Sequence, residues 1–261
     1  MKNILATTLL ITISTSAYSD VDDLAKQLTN PLADLISMPV QINYDSGFGS
    51  KDGHRLAVNI QPVIPLEIND EWNLISRTIL PLIEQHNIAG NSGSQSGTGD
   101  IVQSIFISPK DPTSNGWIWG AGPALLFPTA SNELLGTGKW AAGPTAVLLK
   151  MDDAWTYGML ANHLWDYAGE HDRADINASF IQPFVSYTNR GWTYTLQTES
   201  TYDWESEEWS VPINGVLSKV VRIGKLPVSF AVGARYWADA PDAGAEGWGG
   251  RFSITAMLPK S

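Results

Sequence analysis

Six polar side chains in this 261-residue sequence stand inside stretches that mostly alternate apolar and polar residues, namely Arg55, Asn59, Gln61, Glu199, Arg235 and Arg251, and Arg77 joins them from a less regular stretch. A guanidinium offers a planar fork of donors to carboxylates and phosphates. Four of them near one carboxylate could select polar or anionic solutes at a constriction. The plainer alternative is a structural ion-pair network, with Glu199 taken by Arg235 or Arg251. The four histidines, His54, His86, His163 and His171, have no metal-binding spacing such as HExxH. The glycine-rich stretch Asn91 to Gly99 lacks the Lys-Ser/Thr and the following helix that a phosphate cradle needs, and reads as an external loop. Asp203, Glu205, Glu207 and Glu208 could gather divalent cations, though not at EF-hand spacing. No motif asks for a cofactor, and none is expected.

The chain starts with features of an export leader. Lys2 supplies a positive charge, Ile4 to Ile13 a short apolar run, and Ala17-Tyr18-Ser19 small residues where a signal peptidase reads. Residues 1–19 are therefore read as a signal peptide, and the mature chain, about 240 residues, as starting at Asp20. There is no cysteine, so burial and hydrogen bonding alone must hold it. A net charge of −11 argues against nucleic acid. No later apolar run is long enough to span a bilayer as a helix. Membrane insertion would have to use strands, because lipid tolerates only helices and closed barrels.

Leu24, Leu28, Leu32, Leu35 and Ile36 recur at helical spacing, which predicts a helix over 20–37. Asp20, Asp22 and Asp23 would sit in its first turn. Pro31 would kink it and Pro39 end it. From Val40 the texture changes to period two. Twelve segments follow: 39–48, 54–66, 71–82, 99–109, 116–127, 138–150, 153–166, 174–187, 191–203, 207–221, 226–238 and 247–258. In Trp192 to Tyr202, Trp192, Tyr194, Leu196 and Tyr202 oppose Thr193, Thr195, Gln197 and Glu199. Segments 71–82, 99–109 and 153–166 show no clean alternation, so their faces stay open.

Segments of this length suit tilted membrane strands better than soluble ones. An even number places both termini at one end of an antiparallel barrel. With the N-terminus in the periplasm, the inner turns are mostly short and the outer connections longer. Outer connections and strand tips then hold sixteen carboxylates and four bases; inner turns and ends hold six and seven. Tryptophans such as Trp72, Trp117, Trp119, Trp140, Trp155, Trp165, Trp192, Trp209, Trp237 and Trp248 fall near segment ends, where amphipathic rings favour the headgroup level. An arginine facing lipid at mid-depth would cost about 2–4 kcal/mol, so the arginines above should face the lumen. His163 follows Asn162 near an outer strand end. Outer-membrane lipid hydrolases use Ser, His and Asn on the barrel wall, but no serine within reach can be picked from the sequence.

Several stretches resemble the outer-membrane protein family named after the meta-cleavage pathway of phenol degradation. They include LADLISMPVQINYDSGFG, NIQPVIPLEINDEWNLISRTILPLI, WIWGAGPALLFPTA, YGMLANHLWDYAG, GWTYTLQTESTYDWESEEWSVPINGVLSKV and PVSFAVGARYWADAPD. Together the similar stretches span nearly all of residues 32–260. The resemblance implies an outer-membrane barrel admitting small molecules, aromatic or hydrophobic ones included. It brings no catalytic residues. The chain ends Met257-Leu258-Pro259-Lys260-Ser261, without the terminal aromatic many such barrels carry for assembly.

The expected fold is all-β: an antiparallel up-and-down transmembrane β-barrel of about 12 strands over 39–261, with a short N-terminal helix over 20–38 placed as a plug. The expected location is the outer membrane of a Gram-negative cell. The expected partners are outer-membrane lipid, lipopolysaccharide, the barrel-assembly machinery and a small solute. Passive transport without enzymatic activity is the leading reading. A non-conducting structural or sensing barrel is the alternative, and a lipid-modifying enzyme a remote one.

Overall fold

The computed structural model describes residues 16–258. The leader reading for 1–19 falls mostly outside them; residues 16–19 begin a helix, α1 (Ser16–Gln27). Twelve strands follow. They are β1 (Ile36–Phe48), β2 (Gly53–Ile60 continued by Val63–Glu67), β3 (Trp72–His86) and β4 (Ser94–Thr98 continued by Ile101–Pro109). Next come β5 (Trp117–Phe127), β6 (Lys139–Asp152), β7 (Trp155–Gly169) and β8 (Asn177–Asn189). The last are β9 (Trp192–Thr198 continued by Ser200–Asp203), β10 (Glu208–Ile223), β11 (Leu226–Asp239) and β12 (Gly247–Leu258). Every pairing is antiparallel between chain neighbours. β12 closes on β1 from Ile36↔Leu258 to Tyr44↔Gly250, making a twelve-strand barrel without an edge.

The two faces sort as a bilayer requires. Leu82, Leu148, Met159, Leu196, Val232 and Ile254 are exposed on the outer wall, while Asn43, Ser104, Thr145, Ser186, Asn214 and Arg251 are buried inside it. Exposed aromatics form two belts. Trp119, Trp155 and Trp192 mark the end that carries the termini; Tyr44, Trp140, Trp165, Trp209, Tyr236 and Trp248 mark the other. Trp237 departs from this pattern, since its indole N–H turns inward and donates to Asp45 Oδ1 at 2.9 Å.

Two segments differ from the sequence reading. The helix stops at Gln27 instead of running to Ser37, and the acidic residues Asp22 and Asp23 lie within it, not at its start. Pro31 offers no N–H to continue the helix. Asn30 Oδ1 instead accepts from the Leu32 N–H at 2.9 Å, turning the chain, and Ile36 and Ser37 already pair with β12. The glycine-rich stretch is also partly a strand: Ser94 to Thr98 pair with His86 to Leu82. Ladder hydrogen bonds come from the backbone, so a polar sequence can extend a hairpin beyond the bilayer.

Candidate functional site

At the terminal end, α1 and the turn after it pack against inward-facing side chains of the barrel. Leu32 is buried in a cluster with Ile75, Phe106, Val147, Leu149 and Leu160. Ala25 is buried with Val220 and Met257, flanked by Val21, Leu24, Leu28 and Leu35. The Gly191 N–H, in the β8–β9 turn, donates to the Asp22 carboxylate and fixes the helix to the barrel rim. Gly120 is the seat for Leu32: a Cβ there would lie 2.9 Å from the leucine Cδ2.

Beyond this packed segment lies a girdle of charge. Alternation along each strand sends these side chains inward, and register brings them together. Arg251 stands opposite Asn43, and Arg235 opposite Asn214. Arg251 Nε donates to Asn43 Oδ1 at 2.8 Å; its Nη1 and Nη2 donate to Glu199 Oε1 and Oε2 at 2.8 and 2.7 Å. Arg235 donates from Nε to Asn214 Oδ1 at 2.9 Å, from Nη1 to Asp45 Oδ2 at 3.0 Å and from Nη2 to Glu199 Oε2 at 2.6 Å. Gln197 Nε2 supports Glu199 Oε1 at 3.1 Å. These are charge-assisted bonds in a fork geometry, the strong kind.

The remaining predicted residues flank the girdle. Arg77 Nη2 donates to Gln61 Oε1 at 2.9 Å. Arg55 stands opposite Asp45; its Nε donates to Gln85 Oε1 at 2.9 Å, and its guanidinium lies 5.1 Å from the Phe48 ring centroid. Asn59 stands opposite Gln41 on the lumen face, apart from the ion pairs. Sequence reasoning missed Asn43, Asp45, Gln85 and Asn214. The pairing of β12 with β1 would have found Asn43 and Asp45, because both lie on the inward parity of β1.

Between the girdle and the segment after α1 lies a chamber of about 290 Å³. Its lining is mixed: Arg77, Arg251, Gln41, Gln61, Gln182 and Gln197 with several serines and threonines, and Leu28, Leu35, Leu160 and Phe184. Arg77 and Arg251 line this chamber, and Arg55 and Arg235 stand on the same lumen face beside the carboxylates of Asp45 and Glu199. The arrangement can bind an anionic group. Among the described residues no three His, Asp or Glu side chains are grouped to hold a metal ion.

Comparison with solved structures supports the architecture. An outer membrane channel from Pseudomonas putida F1 superposes with a TM-score of 0.68 at 14% identity, covering 86% of this chain and 96% of that one. The NanC porin superposes at 0.52 and 11% identity, covering 85% of this chain and 100% of that one. At these identities the likeness is one of fold: a porin-like outer-membrane barrel. No family model and no curated protein sequence matches the chain.

Proposed function

We propose that the chain is a passive outer-membrane channel for small solutes that carry an anionic group on an apolar body. The observation that carries this reading is the inward set Arg55, Arg77, Arg235 and Arg251, two of which, Arg77 and Arg251, line a chamber that also carries apolar side chains. A twelve-strand barrel is wide enough for such a chamber, between the filled eight-strand barrels and the open sixteen-strand porins. An aromatic or aliphatic carboxylate fits this mixed lining, in keeping with the resemblance to the phenol-pathway family. On this reading the leader directs export, the assembly machinery inserts the barrel, and lipopolysaccharide surrounds its longer-looped end. The channel needs no chemistry of its own.

Single-channel recording in a planar bilayer tests the proposal. With a salt gradient across the membrane, the reversal potential should report preference for the anion. Zero conductance under all voltages, with the protein inserted and folded, would instead favour a non-conducting barrel, the reading that the apolar packing around Leu32 supports.

A further inference from the structure

His163 does not meet its sequence neighbour Asn162. Asn162 stands opposite Thr145, which is buried on the lumen side, so the next residue must point outward. Ser179, directly opposite His163, shares its outward face. There the His163 Nδ1 lies 2.7 Å from Ser179 Oγ, and its Nε2 lies 3.1 Å from Asn177 Oδ1. Both ends of this chain of bonds fix the direction of its protons. Asn177 Nδ2 donates to Glu205 Oε1 at 3.2 Å, and an ionised carboxylate only accepts, so Asn177 Oδ1 is turned to the imidazole. That oxygen only accepts, so Nε2 carries the proton and Nδ1 is bare. At the other end Trp204 Nε1, a donor only, donates to Ser179 Oγ at 2.9 Å. The serine O–H is therefore free to donate to Nδ1. A hydroxyl aimed at a base, with that base oriented by a third group, is the arrangement of an activated nucleophile.

We propose that Ser179, His163 and Asn177 form a second site, separate from the lumen, that hydrolyses acyl esters of amphipathic lipids. Its place selects the substrate class. The site faces outward among Trp165, Trp204 and Trp209, all exposed, at the belt opposite the termini. Rings at that level mark the headgroup region, just where the acyl esters of membrane lipids lie. Ser179 Oγ attacks the ester carbonyl carbon while its proton passes to His163 Nδ1, and the carbonyl π pair moves onto oxygen. Collapse re-forms the carbonyl and breaks the bond to the alcohol oxygen, which leaves with the proton from Nδ1. Water then gives a proton to Nδ1 and its hydroxide displaces Ser179 from the acyl group; the serine recovers the proton. Ester and water become acid and alcohol. Asn177 is a positioning residue, acting through His163.

The test uses the full chain refolded in ester-free detergent, with folding checked by heat-dependent gel mobility. A fluorophosphonate should phosphonylate Ser179, read by peptide mass spectrometry. Fatty acid release is measured from phosphatidylethanolamine vesicles and, in a second arm, from purified lipopolysaccharide; the arm that responds names the source of the ester. Ser179→Ala should abolish release, and His163→Gln should lower it about 10²–10⁴-fold. Asn177→Ala should lower kcat with KM unchanged. Release from neither lipid by the folded protein, or release that Ser179→Ala does not change, overturns the proposal.

Discussion

Glu199 and Arg251 form a two-pronged ion pair inside the barrel, with Nη1 to Oε1 at 2.8 Å and Nη2 to Oε2 at 2.7 Å, and Arg235 Nη2 shares the second oxygen at 2.6 Å. The carboxylate on β9 thus reaches across β10 to two strands beyond it. Glu199 bridges the two guanidiniums, Asp45 pairs with Arg235 as well, and the fork geometry holds both arginines in place.

Glu199→Gln keeps the size and removes the charge. The two guanidiniums then lose their shared anion and repel. Anion selectivity should rise, seen as a larger reversal potential in a salt gradient. Stability should fall by an amount between the roughly 1 kcal/mol of an exposed pair and the roughly 3–5 kcal/mol of a fully buried one. Thermal unfolding followed on gels checks the second effect; an unchanged reversal potential would remove the girdle from the conduction path.

Gly249 shows how tightly the girdle is built. It stands opposite Arg235, and an added Cβ would lie 2.6 Å from Asp45 Oδ1 and 2.6 Å from the Tyr44 carbonyl oxygen. The backbone atom cannot move aside cheaply. Gly249→Ala should cost about 1–3 kcal/mol, as overpacking does, and loosen Asp45 from Arg235. At Gly250 an added Cβ meets nothing within 4 Å. Gly250→Ala should therefore stay within about 0.5 kcal/mol of the parent. Equal melting of the two variants would contradict the described packing.

The twelve strands were legible because the outer wall is apolar and most of the inner wall is polar. The inward set Arg55, Asn59, Gln61, Glu199, Arg235 and Arg251 followed from the same alternation, while Arg77 was placed inward by the cost of a charge in lipid. The alternation failed over 71–82, 99–109 and 153–166 for a physical reason: Ile75, Phe106 and Leu160 face inward against Leu32. A strand that touches lipid on one face and a plug on the other reads as apolar on both. Ser179 and Asn177 escaped because which residue stands opposite His163 depends on cross-strand register, and a single strand's sequence does not carry register.

The two ends of the barrel differ in loop length, and this predicts topology. Connections at the terminal end are short, such as the turns between β6 and β7 and between β8 and β9, while residues 128–138 and 240–246 form longer links at the other. The longer end should face the cell exterior. Cysteines at Asp172 and Asp242 should react with an impermeant maleimide on intact cells. Cysteines at Asp70 and Lys225 should react only after the outer membrane is ruptured. The reverse pattern would invert the orientation.

The plug makes the sharpest prediction about gating. Leu32 sits in an apolar seat formed by five inward side chains and Gly120, and α1 is pinned by the bond from Gly191 to Asp22. If the segment plugs the lumen, as we propose, conduction through the terminal end requires it to leave. The docked and released states are then an equilibrium whose balance Leu32 helps set. Leu→Ala at a buried position costs about 2–5 kcal/mol. Even the lower figure shifts a two-state equilibrium about thirtyfold, since 1.4 kcal/mol is a factor of ten. Leu32→Ala should lengthen open dwell times by at least that order in single-channel records, while the barrel keeps its heat-dependent gel mobility. Removing residues 20–35 behind the leader should hold the channel open. If both variants insert, stay folded and conduct as the parent does, the segment is no gate, and its apolar packing serves only to stabilise the barrel wall.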